Sequence, residues 1–334
     1  MKLLFFALFV LSTIGNSVPE RYTVSLNDPP STRWAHVQAP YASIIKTFAQ
    51  NYAKYSITPI KLDLLMILLN RGYINPEFKQ ELQGMAQTVN ITYKEAAFLN
   101  FMYEYNAFCT SIVVRLTNGT IIHGRNLDYD SEEFLRNTTV VIDVTKDGKL
   151  LYTSVGFAWY LGVGTGISYS GFSITQNQRD SGSKLDNNYA LFLGYQGDLW
   201  AIRQALINEN SYEDAFTYLY NAKLADATYY ILGGVNENDG SVIVRDRAQT
   251  VDAPKLNSTT WYLVQTNYDP WLVDPSWDDR KTVAIQQIEQ IGQANMNIDK
   301  LFDVLSVSPV LNPSTVFTTI FVPSTGYHNT TIRA

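Results

Sequence analysis

The chain has 334 residues, 46% of them apolar, and carries 25 Lys and Arg against 31 Asp and Glu for a formal net charge of −6. That length and apolar fraction support a globular protein with a hydrophobic core of its own, and an acidic balance without any Lys/Arg run argues against nucleic acid as a partner. A single cysteine excludes an internal disulfide, and one cysteine with three scattered histidines, His36, His123 and His328, supplies none of the spacings a metal centre needs, so neither metal nor cofactor is expected.

In chain order, Met1-Lys2, the apolar run Leu3 to Leu11 and the exit Ser12-Thr13-Ile14-Gly15-Asn16-Ser17 predict a secretory signal peptide over residues 1–17. A retained signal anchor is the alternative, although the run is short for a bilayer. Helical patterns follow at Ser43 to Tyr55, Ile60 to Leu69, Pro76 to Thr88 behind the cap Asn75, and Lys94 to Tyr105 behind Thr92. Residues 18–108 therefore read as a helical unit. Sequons at Asn90, Asn137, Asn257 and Asn329 are glycosylation candidates in a secretory path. The sequon at Asn118 is set aside because it lies in a tight turn.

Cys109 opens a new organisation. Thr110 to Thr117 is β-branched, Asn118-Gly119 is a hairpin-turn signal, and Thr120-Ile121-Ile122 resumes strand composition. A two-residue loop would set Thr117 opposite Thr120 and Cys109 opposite Asp128, with Cβ atoms roughly 4.5–5.5 Å apart. Arg125, three residues from Asp128, then falls on the other face unless a bulge near Gly124 returns it. In the same register His123 pairs with Val114 on the face away from Cys109, which argues against a thiol–imidazole protease. Read without further context, Cys109 is a small buried hydrophobe, Arg125 and Asp128 a local ion pair, Asn267 a turn residue and Arg280 a helix-start charge.

Beyond the hairpin, strands are expected near residues 139–144, 150–156, 171–176, 228–234, 241–246, 260–266 and 315–322, and helices near 189–208, 212–222, 280–293 and 298–306. Lys146-Asp147-Gly148-Lys149 and Glu237-Asn238-Asp239-Gly240 read as turns. Strands with segregated helices give an α+β class.

The segments FCTSIV, IIHGRNLDYD, YYILGGV, VIVRDR, VQTNYDPW, DDRKT and LSVSPVLN, in this order, resemble those of the acid ceramidase and N-acylethanolamine acid amidase family of N-terminal nucleophile hydrolases. The resemblance implies an αββα sandwich. It also implies self-cleavage between Phe108 and Cys109, giving a helical α-subunit over 18–108 and a catalytic β-subunit over 109–334 paired as a heterodimer, with Arg125, Asp128, Asn267 and Arg280 at the remaining catalytic positions. In that scheme a freed α-amine, with an ordinary pKa of about 7.7–8.0, serves as the base for its own thiol. Asp128 would hold the ammonium, Arg125 and Arg280 would favour thiolate, and Asn267 would donate to the oxyanion. Glu104, Tyr105 and Asn106, just before the cleavage point, are left out of the site.

The resemblance points to N-acylated lipid substrates and to lysosomes or related acidic vesicles, or to secretion. N-acylethanolamines are favoured over ceramides by the short spacing from Tyr129 to Thr139, by GRNLDY and GQANMNIDKLF, and by the lack of further cysteines. A lipid-binding protein without activity is the alternative of another class. The apolar segments Ile60 to Leu69 and Gly156 to Gly164 read first as core. Their second reading is a transient membrane-surface contact for the former and an acyl-chain lining for the latter.

Overall fold

The computed structural model describes residues 16–56, 58–71, 74–102 and 107–334. The signal peptide expected over 1–17 lies almost wholly outside them, as do Glu104, Tyr105 and Asn106. The first half consists of strand β1 (Glu20–Ser25) and helices α1 (Ala35–Gln38), α2 (Ala42–Ser56), α3 (Pro59–Leu69), α4 (Pro76–Val89) and α5 (Tyr93–Met102). A hairpin of β2 (Ala107–Arg115) and β3 (Ile121–Tyr129) follows, then α6 (Glu132–Thr138), β4 (Thr139–Lys146), β5 (Lys149–Phe157), β6 (Thr165–Ser168) and β7 (Phe172–Gln178). After these come α7 (Lys184–Phe192), α8 (Asp198–Asn208), α9 (Tyr212–Asn221), β8 (Thr228–Gly233), β9 (Gly240–Arg245), β10 (Thr250–Asp252) and β11 (Tyr262–Gln265). The chain closes with α10 (Arg280–Ile291), α11 (Ile298–Val304), β12 (Thr315–Val322) and β13 (Tyr327–Ile332).

Two sheets stack face to face. The larger runs β1-β4-β5-β6-β7-β8-β9-β10 and the smaller β11-β2-β3-β12-β13. Alternation along β2 and β3 decides what each face does. Val113 and Ile121 turn inward onto Tyr229, Ile231, Val242 and Val244 of the larger sheet, whereas Ile112, Val114 and Ile122 turn outward onto Ala284, Ile288 and Leu301 of α10 and α11. Helices α8 and α9 pack on the larger sheet through β5, β6, β8 and β9. The layers are α, β, β, α, the sandwich expected from the resemblance.

The structure corrects three expectations. The first half is not purely helical, because β1 pairs in parallel with β4 at the edge of the larger sheet. Only Val24 of this strand is fully buried, and Arg21 grips Asp143 through two hydrogen bonds of 2.7 and 2.8 Å, so its edge position leaves little apolar alternation to read. The helix expected over 189–208 is two helices. Gly194 adopts φ +79° and closes α7 in a Schellman arrangement, with Tyr195 N–H on the Ala190 carbonyl and Gly194 N–H on the Leu191 carbonyl.

The third correction moves the β2–β3 register by one residue. Leu116 and Thr120 close a three-residue loop, Thr117-Asn118-Gly119, in which Leu116 N–H donates to the Thr120 carbonyl and Gly119 sits at φ +84°. Cys109 therefore pairs with Leu127, and Phe108 with Asp128. No bulge interrupts the pairing at Gly124. That glycine serves packing instead, since a Cβ there would lie 2.8 Å from a Leu305 methyl.

Candidate functional site

The corrected register sets the site. Arg125 pairs with Ser111, two residues from Cys109 and on the same face, so the thiol and the guanidinium meet without any bulge. Arg125 Nη2 donates to Cys109 Sγ at 2.7 Å, while Nη1 donates to the Gly164 carbonyl at 2.7 Å and to Thr165 Oγ1 at 2.6 Å. Cys109 is fully buried, yet the preceding Phe108 is 44% exposed, so the peptide bond between them lies at the boundary between surface and interior.

Asp128, on the opposite face, belongs to a second group of residues. Its carboxylate accepts from Thr315 Oγ1 at 2.7 Å, Asn312 Nδ2 at 2.9 Å and Arg280 Nη1 at 3.3 Å. Arg280, at the start of α10, also donates to the Cys109 carbonyl at 3.1 Å and to Asn267 Oδ1 at 3.2 Å. The other edge of its guanidinium is gripped by both oxygens of Asp278 at 2.8 and 2.7 Å. Asn267, just past β11, accepts the Cys109 backbone N–H on Oδ1 at 2.9 Å and donates from Nδ2 to the Gln178 carbonyl at 2.9 Å.

All five expected residues thus converge around Cys109, with two differences in detail. The group facing the Cys109 nitrogen is the Asn267 side-chain oxygen, and the Asp128 carboxylate reaches Cys109 through Arg280. Asn267 Nδ2 is engaged by Gln178, so its amide ties the two sheets together. Sequence reading missed Asp278, Asn312, Thr315 and Thr165. An acidic residue two positions before a functional arginine was the available signal for Asp278; nothing local marked the others.

Burial governs the electrostatics. It pushes the Cys109 thiol up from its ordinary value, opposed by the charges of Arg125 and Arg280, while Asp128 adds to the rise. Burial also raises Asp128, against hydrogen bonds from Thr315 and the charge of Arg280. Desolvation works against the charge of Arg280, but Asp278 and Asp128 outweigh it and hold its pKa above the ordinary value.

His123 shares the inward face with Cys109, contrary to expectation, because it pairs with Val113. It is nonetheless no partner for the thiol. Its ring nitrogens bond Ser173 Oγ at 2.9 Å and Thr175 Oγ1 at 3.0 Å, and burial, aided by Arg125, pulls its pKa down to about 3. Among the described residues no group of His, Cys, Asp and Glu could hold a metal ion. The four sequon asparagines, Asn90, Asn137, Asn257 and Asn329, are all exposed.

A buried thiol flanked by guanidinium groups lies in an αββα sandwich, and comparison with known proteins makes the chain a hydrolase acting on amide bonds. The model of the linear amide C–N hydrolases, choloylglycine hydrolase family, matches residues 109–300, beginning at Cys109, and the chain belongs to this family. A second family model, the beta subunit of N-acylethanolamine-hydrolyzing acid amidase, matches residues 17–65. The chain is 35% identical to the N-acylethanolamine-hydrolyzing acid amidase of Oryctolagus cuniculus, over 92% of this chain and 88% of that protein. It is 32% identical to the acid ceramidase of Homo sapiens, over 93% and 85% respectively. Among solved structures, a Caenorhabditis elegans ortholog of N-acylethanolamine-hydrolyzing acid amidase superposes with a TM-score of 0.59 at 37% identity, covering 65% of this chain and 93% of that one.

Proposed function

We propose that this protein is an acid amidase of the secretory and lysosomal path that cleaves the amide bond of N-acylated lipids to a fatty acid and an amine, with N-acylethanolamines preferred. In this reading the chain matures by cutting itself between Phe108 and Cys109, and the pieces 18–108 and 109–334 stay paired. The observation that carries it is the Cys109 environment: a buried thiol with Arg125 on its sulfur, Arg280 on its carbonyl and Asn267 on its nitrogen.

In self-cleavage the Cys109 sulfur attacks the Phe108 carbonyl carbon, the C–N bond breaks, and the nitrogen takes the thiol proton to become a free amine. Water then hydrolyses the thioester, leaving a Phe108 carboxylate and a Cys109 thiol. The amine, held at Asn267 Oδ1, next accepts the thiol proton as substrate is attacked and returns it to the departing amine product, and water then hydrolyses the resulting thioester to release the fatty acid and restore the thiol. Arg125 steadies the developing thiolate, and Arg280 fixes the Cys109 main chain against Asp128.

An apolar face on the same molecule supports lipid substrates. Helix α3 buries Met66 and Leu69 but exposes Ile60, Leu64 and Ile67. The adjoining α7 exposes Leu185 and Tyr189, and, as a separate exposed apolar site, the loop before α10 exposes Trp271 and Trp277. Such a surface fits transient contact with a membrane from which substrate is drawn, and no helix among the described residues is long and apolar enough to cross one. The segment from Gly156 to Gly164, by contrast, is mostly buried core.

Acid ceramidase activity is the second reading, favoured by the 32% identity to that enzyme over most of the chain. Incubation at about pH 4.5 and 7.5, values bracketing carboxylate and α-amine titration, followed by intact mass and N-terminal sequencing, tests maturation. Two chains, the larger starting at Cys109, are expected for wild type and one for Cys109→Ala. Competing an N-acylethanolamine against a ceramide then decides the substrate. A wild-type chain that stays whole in both conditions and hydrolyses neither lipid overturns the proposal and favours lipid binding alone.

A further inference from the structure

The irregular segment from Ala158 to Gly164 carries the carbonyl that anchors Arg125. Side chains from elsewhere hold its backbone in place. Asn100, on α5 and 1% exposed, donates from Nδ2 to the Trp159 carbonyl at 3.3 Å and accepts the Leu161 N–H on Oδ1 at 2.9 Å. Its amide therefore reads the segment as a neighbouring strand would. The Leu161 carbonyl accepts from Arg203 Nη1 at 2.9 Å, and Arg203 is itself gripped by both oxygens of Glu81 on α4 at 2.6 and 2.7 Å. Both polar groups of residue 161 are thus set, directly or through one ion pair, by helices that precede Cys109. Three residues on, Gly164 meets Arg125, and Arg125 meets the sulfur.

We propose that Asn100 is a positioning residue for the nucleophile, acting through the 158–164 segment on Arg125, so that the N-terminal helices complete the site instead of only covering it. The inference rests on the functional reading above for the role of Cys109. In the matured protein the Asn100 contacts run between the two pieces, as do those of Glu81 with Arg203. The smaller piece would then have to stay bound for the guanidinium to face the thiol. A guanidinium that drifts from the sulfur leaves thiolate formation less favoured, because a nearby opposite charge typically moves a pKa by one to three units.

The test uses Asn100→Leu and Asn100→Ser in the full chain, with Arg125→Leu as reference. Cys109 is the only cysteine, so the pH dependence of its alkylation by iodoacetamide, followed by intact mass, reports one thiol. The expected result is a midpoint raised by about one pH unit in the Asn100 variants, ~10-fold slower alkylation on the rising limb, in the same direction as Arg125→Leu. Asn100→Ser, which keeps a polar group and room for water, should recover part of the shift. Lower melting temperatures with an unchanged alkylation profile would make Asn100 merely structural and overturn the proposal. So would failure of both variants to fold, since Asn100 would then be needed by the buried core to which the segment belongs and not only by the thiol. Alkylation needs no lipid, so a normal shift beside absent lipid turnover would count against the functional reading and not against this one.

Discussion

Replacing Asp226 by Asn should stabilise the protein at neutral pH and flatten its response to acid. Asp226 lies between α9 and β8, with its side chain 13% exposed and Arg247 Nη2 3.7 Å away. That arginine also donates to Asn187, Ser181 and Asp246, so little of its charge is reserved for Asp226. Burial, reinforced by the neighbouring Asp198 carboxylate, raises Asp226 from 3.8 to about 7. At 1.36 kcal/mol per pH unit the difference corresponds to roughly 4 kcal/mol of destabilisation by the ionised form, an upper bound because neighbours relax. The native pKa lies above the unfolded one, so the native state holds the extra proton between them. Stability therefore rises as pH falls through about 7, is fully gained near 4, and is lost again as pH climbs. The step from pH 5 to pH 7.5 spans about 2.5 kcal/mol of that total, so at roughly 2 °C per kcal/mol wild type should melt up to about 5 °C lower at pH 7.5 than at pH 5 through this group alone. Asp226→Asn keeps an acceptor for the Ala227 N–H and should remove most of that difference by raising the pH 7.5 value. Thermal melts of both proteins at the two pH values are the assay. A variant no more stable than wild type at pH 7.5, with the same gap between the two conditions, would refute the reasoning.

Asp278→Asn removes the carboxylate that grips Arg280 by two hydrogen bonds and leaves a buried guanidinium underpaired. Breaking such a pair typically costs about 3–5 kcal/mol. Denaturant titration should show a loss near the lower end of that range, because Asp128 still accepts from Arg280, and self-cleavage timed by gel should slow about 10-fold. Leu64→Asp together with Trp277→Asp puts charge on two exposed apolar sites, where neither side chain is buried in the core. Sedimentation with anionic vesicles should fall several-fold while turnover of a short, water-soluble amide stays unchanged.

Local pattern carried much of the fold. Asn75 accepts the Phe78 N–H as a helix cap, and the Asp147-Gly148 turn joins β4 to β5 as its residues demand. What pattern could not carry was tertiary. Strand β1 is mostly polar and is a strand only because β4 offers it an edge. The hairpin failed by a single residue, since Asn118-Gly119 fits a two-residue loop as well as the three-residue loop that includes Thr117. That one step exchanged faces along the whole strand and was the sole ground for doubting Arg125. Gly124 carried an informative signal, but its cause was the close approach of Leu305, which no local rule contains.

The two arginines of the site are set to different work by their partners. Arg280 faces two carboxylates, Asp128 and Asp278, whose formal charges more than offset its own, and it ties the Cys109 carbonyl to Asn267. Arg125 forms no ion pair among the described residues; its hydrogen bonds go to a carbonyl, a hydroxyl and the sulfur. Its charge is therefore uncancelled where it matters, and in a buried site of low dielectric it acts on whatever can ionise nearby. It lowers the thiol and, along the same sheet face, helps keep His123 neutral. One group thus favours thiolate and disfavours an imidazolium competitor. In the mechanism we propose, His123 is not the base for Cys109, and the nitrogen held 2.9 Å from Asn267 Oδ1 would take that role once the bond to Phe108 is cut.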